Sequence, residues 1–459
     1  MKETFLLPRY RGRVKAAVCF PSGYSAGMSS LAFQKLVALF STSDFTLSRF
    51  FFDKKAVYSP DKIFPLNQAD FIFFTISYEP DIINVLTMLH LAGISLDKKE
   101  RKQVLIAGGI FSTINADFFS DIFDYQYRGE IEGNEDKILE MILSEDSADW
   151  KEKADSPFSA EIHPALPFLE PPHSVILSSD AGFSDTFLIE ISRGCLFRCP
   201  FCMVSTVYES FRPAPYEKIK ELVDKALGFT RKIGLVSALP NSHPQIKQIA
   251  HYILDKGGIP SFSSLRVDLI DEEFIEILKL SQQKTMTLAI EAGDQKIRNI
   301  IGKAKNMDTI KNVIALSLER DIRHFKLYFM AGLPEDEKGA AAVADLCLEL
   351  RESFSGYAKT KGIMPAMSVD VSPFVPKPLT KWQNEKMIGK REYNEFLVEL
   401  RKRIAPKGIS LSADDYYMAE CQFVISRGDK YLARSIANAI ETNGSVKKII
   451  KDKLVSFDK

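Results

Sequence analysis

The 459-residue sequence predicts an α/β fold: a doubly wound, Rossmann-like parallel sheet, then a partial (β/α)6 barrel, then a helical carboxyl-terminal extension. Three observations predict it. Apolar strand-like runs alternate with amphipathic helical patterns over 1–150, the signature of a parallel sheet with crossover helices. Within 151–185 a proline-dense stretch without periodicity, Ser156 to His173, reads as a linker. A second alternating series fills 186–389, and the pattern over 390–459 is helical.

In the first segment Val14 to Phe20 (VKAAVCF) reads as a strand, followed by a Gly- and Ser-rich turn and the helical run Leu31 to Phe40. Phe71 to Ser77, the amphipathic Ile82 to Leu91, and Val104 to Ala107 ending in Gly108 and Gly109 repeat the unit. Ligands of such a sheet sit at the carboxyl ends of its strands. The second series offers six strand candidates: Thr186 to Ser192, Ile233 to Ala238, Ser261 to Val267, Thr285 to Ala292, His324 to Ala331 and Met367 to Val375. Helix starts are signalled by Asp271 before EEFIEILKL and by Asp308 before TIKNVIALSLER.

Sixty basic side chains balance sixty acidic ones, so no one-signed field is built in, which argues against a nucleic-acid binder. The most apolar run, Ala69 to Tyr78, has the length of a buried strand rather than a membrane span. The start, MKETFLLPRYRGR, has no apolar signal core, and the expectation is a cytoplasmic protein. Six cysteines, three of them within eight positions, do not make a disulfide framework; Cys19, Cys347 and Cys421 read as core residues.

Cys195, Cys199 and Cys202 form C-x3-C-x2-C just after a strand candidate, where a loop can wrap three thiolates around one face of a metal centre. Three ligands are one short of a structural zinc site or an electron-transfer cluster, and the nearest histidines in sequence are His173 and His243. A deficient set makes sense if the remaining metal position coordinates a substrate-like molecule.

With an aromatic residue, Phe201, directly before the third cysteine, this loop resembles the signature of radical S-adenosylmethionine (SAM) enzymes. The resemblance covers nearly the whole chain, including SGYSAGMSSLAFQKL, LIAGG, IEAGDQKIRNIIGK, LYFMAGLPED and FVISRGDK, and is to those with an amino-terminal cobalamin-type domain, a subgroup of unassigned substrate. It implies a 4Fe-4S cluster on the three cysteines and cleavage of SAM to a 5′-deoxyadenosyl radical. For SAM it implies Phe201 near the adenine, Ser237 at the end of the second strand, Arg266 on the methionine carboxylate, and Glu291 on the ribose. Met330, Gly332 and Glu335 match the tail of an adenine-supporting pattern, whereas the Gly-Gly-Glu of many relatives is replaced by Val236, Ser237 and Ala238.

Cobalamin-type domains carry D-x-H-x-x-G after the first strand; here the loop is Ser22 to Gly27, with Tyr24 in the histidine's place. Tyr24, Gly27, Ser77, Gly108 and Gly109 are the candidate cobalamin contacts, and binding would lack a protein histidine below the metal. With cobalamin the expected reaction is methyl transfer to an unactivated carbon. Without it the same radical fits dehydration, epimerisation, sulfur insertion or rearrangement. A non-catalytic iron–sulfur scaffold is the alternative from another class. The resemblance also implies a reducing partner such as flavodoxin or ferredoxin. Tyr24, Tyr78, Glu79, Lys326 and Lys377 are acid–base candidates, and no catalytic residue is assigned.

Overall fold

The computed structural model describes residues 2–53, 55–144, 162–163, 168, 170–208, 210–303 and 306–457. Of the expected linker over 151–185, residues 151–161, 164–167 and 169 lie outside the described residues. The chain divides into two compact units, Met1–Ile189 with Glu420–Lys459, and Glu190–Ala419.

The first unit is built on a six-stranded sheet. Val14–Phe20 pairs in parallel with Phe45–Asp53 on one side and Phe71–Thr75 on the other; Val104–Gly108 and Tyr125–Gln126 extend the second side, and Ala56–Tyr58 closes the first edge antiparallel. The order reverses direction between Val14–Phe20 and Phe71–Thr75, which is the topological switch point of a doubly wound sheet. Phe71 to Thr75 is buried at every position, as expected of a strand covered on both faces. Leu31–Leu39 begins at Ser30, whose hydroxyl accepts from the Phe33 amide at 3.3 Å. From this helix Gln34, 1% exposed, reaches across: its amide nitrogen donates to Met28 and Ile176 carbonyls, and its oxygen accepts from the Val175 and Ile176 amides. That side chain secures the segment returning to pair with Glu3–Phe5.

The end of the chain also belongs to this unit. Helix Lys430–Glu441 buries Leu432, Ala433 and Ile436 and packs against Asp81–Leu91 and Ala116–Phe119. The Asn115 amide donates to the Gly428 carbonyl at 2.7 Å and fixes the approach. The expected single extension over 390–459 is therefore divided: 420–459 belongs to the first unit, whereas Lys390–Ile404 and the strand Ile409–Ala413 belong to the second. The apolar alternation of Ile409 and Leu411 suits that strand, which lies parallel to Ala366–Pro373.

In the second unit Lys232–Val236 pairs in parallel with Ile259–Phe262, and Thr285–Glu291, His324–Ala331, Ala366–Pro373 and Ile409–Ala413 form a four-stranded parallel sheet. A bridge between Leu265 and Leu288 links the two sheets. Strand, helix and strand alternate as the sequence pattern requires: Glu272–Leu280 starts at Asp271, whose carboxylate accepts from the Phe274 amide, and Met307–Glu319 starts at Asn306, two positions before Asp308. No helix among the described residues is long and apolar enough to cross a membrane.

Two buried polar centres set testable limits on stability. In the first unit the Arg49 side chain, 1% exposed, bonds both oxygens of Asp61 and both of Glu3. Removing its charge strands two carboxylates, so Arg49→Met should cost about 3–5 kcal/mol in urea unfolding, with most of it restored by adding Glu3→Gln and Asp61→Asn; a loss below about 1 kcal/mol would contradict this assignment. In the second unit His243, 2% exposed, has one ring nitrogen 3.2 Å from the Ala214 carbonyl while the other accepts from the Gln245 amide. Burial holds its pKa below the ordinary value, opposed by the Ala214 bond. The folded form thus takes up its proton later than the unfolded chain as pH falls, and stability present above about pH 6.5 is lost below it. His243→Gln should flatten the decline in urea midpoint between about pH 7 and 5.5; an unchanged slope would refute the linkage.

Candidate iron–sulfur and SAM site

The three neighbouring cysteines lie on a loop closed at its base. Ser192 and Arg193 pair antiparallel with Pro213 and Arg212, and the Ala214 amide donates to the Ile191 carbonyl at 2.9 Å. Gly194 turns the chain out of this ribbon with φ +77, and a Cβ there would lie 2.2 Å from the Ser210 carbonyl oxygen, so only glycine fits. Arg193 forks onto Glu190 at 2.9 and 2.7 Å, fixing the strand end. Within the loop the Cys202 amide donates to the Cys199 carbonyl at 3.0 Å, and the Cys202 carbonyl accepts from Ser205 and Thr206 hydroxyls.

All three cysteines are free thiols of intermediate exposure, unlike the buried Cys19, Cys347 and Cys421. Burial pushes the Cys199 thiol up; Lys303 pulls it down, Cys202 raises it, and Arg266 and Cys195 follow with opposite signs. The thiols therefore feel one another and two nearby cations. Among the described residues no three His, Cys, Asp or Glu side chains converge on a single ion. Three partly open thiols with two cations nearby fit the three protein ligands of a 4Fe-4S cluster.

Around this loop the structure gathers several of the expected SAM residues and redirects others. Phe201 and Met330 pack together against Ala292, Ile297, Leu333, Phe374 and Trp382, and the Trp382 amide donates to the Pro200 carbonyl at 3.0 Å. Glu291 ends its strand at φ +70, and its carboxylate meets the Lys303 ammonium at 2.6 Å rather than standing open. Lys303 in turn lies 5.9 Å from the Phe201 ring centroid. Arg266, 5% exposed, stacks on Phe197 at 3.7 Å, pairs with Asp268 at 2.8 Å and donates to the Gly302 carbonyl. Only its Nε is buried without a partner. The guanidinium therefore braces the thiol loop, and its fork is not held open for a carboxylate. Asn241 holds the Arg266 backbone from both sides, donating to its carbonyl at 2.9 Å and accepting from its amide at 3.2 Å.

The Ser237 hydroxyl accepts from the Leu239 amide and closes a local turn. Gly332 adopts φ +80 against Ile388. Glu335, also at positive φ, is a mostly exposed partner of Lys296 at 3.1 Å, so its side chain serves the surface rather than an adenine. Lys303, Phe197, Trp382 and Asn241 escaped the sequence reading. A signal for Lys303 was present: the helix Gln295–Ile301 stops at Gly302 in the left-handed conformation, which returns the next residue toward the strand end at Glu291.

In the first unit the candidate cobalamin residues divide. Tyr24 is turned inward, its ring against Phe51 and its hydroxyl donating to Glu3, which together with burial raises its pKa. Neither a metal contact nor proton transfer to a ligand suits it there. At Gly27 a Cβ would lie 2.5 Å from the Phe51 ring, and at Gly109 2.6 Å from the Ile76 carbonyl oxygen, so internal packing accounts for both glycines. At Gly108 a Cβ would lie 3.9 Å from Tyr127, an ordinary contact, and Ser77 is exposed at the carboxyl end of Phe71–Thr75. Beside it Tyr78 accepts from the Gln422 amide at 3.3 Å, and burial followed by the Glu79 charge lifts the Asp81 carboxyl to about 7. Of the remaining acid–base candidates, Lys326 pairs with Asp370, and the Lys377 carbonyl accepts from Thr380 at 2.7 Å.

The model of the radical SAM superfamily matches residues 189–347, and that of radical SAM proteins, N-terminal, matches 47–161. An uncharacterized protein of Methanocaldococcus jannaschii, MJ0966, is 25% identical over 445 residues, 96% of this chain and 94% of its own. In fold the chain is similar to TsrM of Kitasatospora setae, a radical SAM methyltransferase. The structure with cobalamin and a [4Fe-4S] cluster bound gives TM-score 0.55 at 10% identity, covering 96% of this chain and 99% of that one. The structure with tryptophan and a SAM analog gives 0.52 at 11% identity, covering 81% and 75%. At such identities this likeness speaks for the fold alone. The family model over 189–347 and the thiol loop within it mark that segment as a radical SAM domain and the chain as an enzyme, and that family implies a 4Fe-4S cluster and SAM.

Proposed function

We propose that the second unit forms a partial (β/α)6 barrel in which Cys195, Cys199 and Cys202 hold a 4Fe-4S cluster and SAM completes its coordination, and that the enzyme methylates an unactivated carbon with a cobalamin carried by the first unit. The observation that carries the reading is the closed loop bearing three half-buried thiols beside Lys303 and Arg266. Cys195, Cys199 and Cys202 would hold the cluster, which when bound and reduced would supply the electron for reductive cleavage of SAM.

The chain's own residues do the rest of the positioning. The ribbon of Ser192–Arg193 with Arg212–Pro213 fixes the spacing of the thiols. Arg266 under Phe197 and Lys303 beside Phe201 place positive charge where thiolates would otherwise repel one another. Phe201, Met330 and Trp382 give an apolar wall suited to the adenine and exclude water from it. A low-potential carrier such as flavodoxin or ferredoxin supplies the electron.

For cobalamin the support is the switch-point sheet of the first unit and its likeness to a structure that holds one. It would sit by Ser77 and Gly108, with no imidazole from the loops after the first and third strands of that sheet. The same lack of imidazole, with Tyr24 turned inward, favours a second reading in which the radical acts without cobalamin, in dehydration, epimerisation, sulfur insertion or rearrangement.

The test is anaerobic reconstitution with iron, sulfide and hydroxocobalamin, followed by dithionite and SAM. Wild type is expected to retain cobalamin and to consume SAM, read as 5′-deoxyadenosine or S-adenosylhomocysteine, while Cys199→Ala loses the cluster absorbance and all SAM turnover. SAM turnover without retained cobalamin selects the second reading. A complete cluster with no SAM consumed would overturn both and favour a scaffold.

A further inference from the structure

Parallel sheets are normally covered on both faces, and their strands read as near-continuous apolar runs. The four-stranded sheet of the second unit departs from this. Along Thr285–Glu291, His324–Ala331 and Ala366–Pro373, buried and partly open positions alternate strictly. The buried face is apolar: Phe325 packs on Phe354 of the helix Gly339–Lys361, and Met286 meets Ser317 of the helix Met307–Glu319. The opposite face is polar and partly open, carrying Lys326, Tyr328, Ser368, Asp370, Ser372 and Ser412.

Register places these groups side by side. Lys326 stands opposite Ser368, Tyr328 opposite Asp370, and Asp370 opposite Ser412. The Lys326 ammonium bonds the Asp370 carboxylate and lies 5.1 Å from the Tyr328 ring centroid. Their side chains keep 37% and 20% of their exposure, so this pair contributes little to stability, on the order of the ~0–1 kcal/mol of solvated pairs. The same face continues along the strand to Met330, which packs in the apolar cluster with Phe201 of the thiol loop. At about 6.6 Å per two residues, Tyr328 and Lys326 stand about 7 and 13 Å further down the strand from Met330. The wall thus runs from the cofactor region to an ion pair that the fold does not need.

We propose that Lys326 and Asp370 are the substrate-recognition pair of this enzyme and that the substrate is a free α-amino acid, its carboxylate accepting from Lys326 and its ammonium donating to Asp370. The inference rests on the radical SAM reading of the same unit. A ligand with one charge would open the pair and leave the other partner uncompensated in a partly desolvated site. A zwitterion with both charges on one carbon replaces both halves at once, which leaves Tyr328 and the serine hydroxyls to read its side chain. Lys326 and Asp370 bind and orient; no proton is transferred.

The test is isothermal titration of the anaerobically reconstituted protein, with SAM present, against the twenty L-amino acids, then against the methyl ester and N-acetyl derivative of any that bind. Wild type is expected to bind at least one amino acid and to weaken on either derivative by about tenfold or more, the loss expected when a charge-assisted hydrogen bond goes. Lys326→Met should no longer distinguish acid from ester, and Asp370→Asn should no longer distinguish amine from N-acetyl. The exchanged pair Lys326→Asp with Asp370→Lys keeps the cross-strand bond and serves if a single variant fails to fold; it should bind none of the ligands that wild type binds. SAM binding with no amino-acid binding, or discrimination unchanged in the variants, overturns the pair. Amino-acid binding without any SAM binding would uphold the pair and overturn the radical SAM reading instead.

Discussion

Three thiols within eight residues, destined to be anionic when they bind metal, repel one another unless positive charge stands close, and the second unit is arranged around that requirement. Arg266 and Lys303 answer it from two directions. One comes off the end of a short strand and is held by Asn241, Asp268 and the Gly302 carbonyl; the other follows a helix stop and is held by Glu291. Each also touches an aromatic residue of the thiol loop, Phe197 or Phe201, so the charge that relieves the repulsion also fixes the loop's position. Both cations are themselves tied to carboxylates, which keeps long, flexible side chains in one geometry and restrains their charge from wandering toward solvent.

Much of this was legible in the sequence. Val14 to Phe20 and His324 to Ala331 have the same bounds as strands in the structure as in the pattern, because long apolar alternation with clear turn residues leaves little choice of period. The three cysteines announce themselves by spacing, since a loop ligand set is local in sequence. What stayed hidden is nonlocal. Tyr24 occupies a ligand loop by position, yet its direction is decided by Glu3 and Phe51, which no local pattern connects to it. Glu291 ends its strand as expected, whereas the strand expected to reach Arg266 stops at Phe262 and Arg266 begins a short turn instead; the pairing of the two with Lys303 and Asp268 depends on where a helix stops and a turn returns. The tail Glu420–Lys459 was legible as helix and not as part of the first unit, because an amphipathic face states that it is covered and not by what.

The two units express different balances of burial. In the first, phenylalanines from its strands and helices close the core, and two buried arginines pair with carboxylates inside it, Arg49 with Glu3 and Asp61, and Arg101 with Asp124. Ser77 stays exposed at the carboxyl end of Phe71–Thr75, and Gly108 ends the neighbouring strand. In the second, one sheet face is surrendered to polar side chains, which lowers the apolar burial available to the fold. A parallel sheet keeps such a face when it contacts something other than its own helices.

The central claim, that three thiolates hold a cluster with one iron left for SAM, is tested most directly by electron paramagnetic resonance of the dithionite-reduced, reconstituted protein with and without SAM. A reduced 4Fe-4S signal whose g-values move on adding SAM, with coupling to 15N-labelled methionine nitrogen of SAM, is the predicted result. A signal indifferent to SAM and without nitrogen coupling would show a cluster closed to it, and would contradict the account.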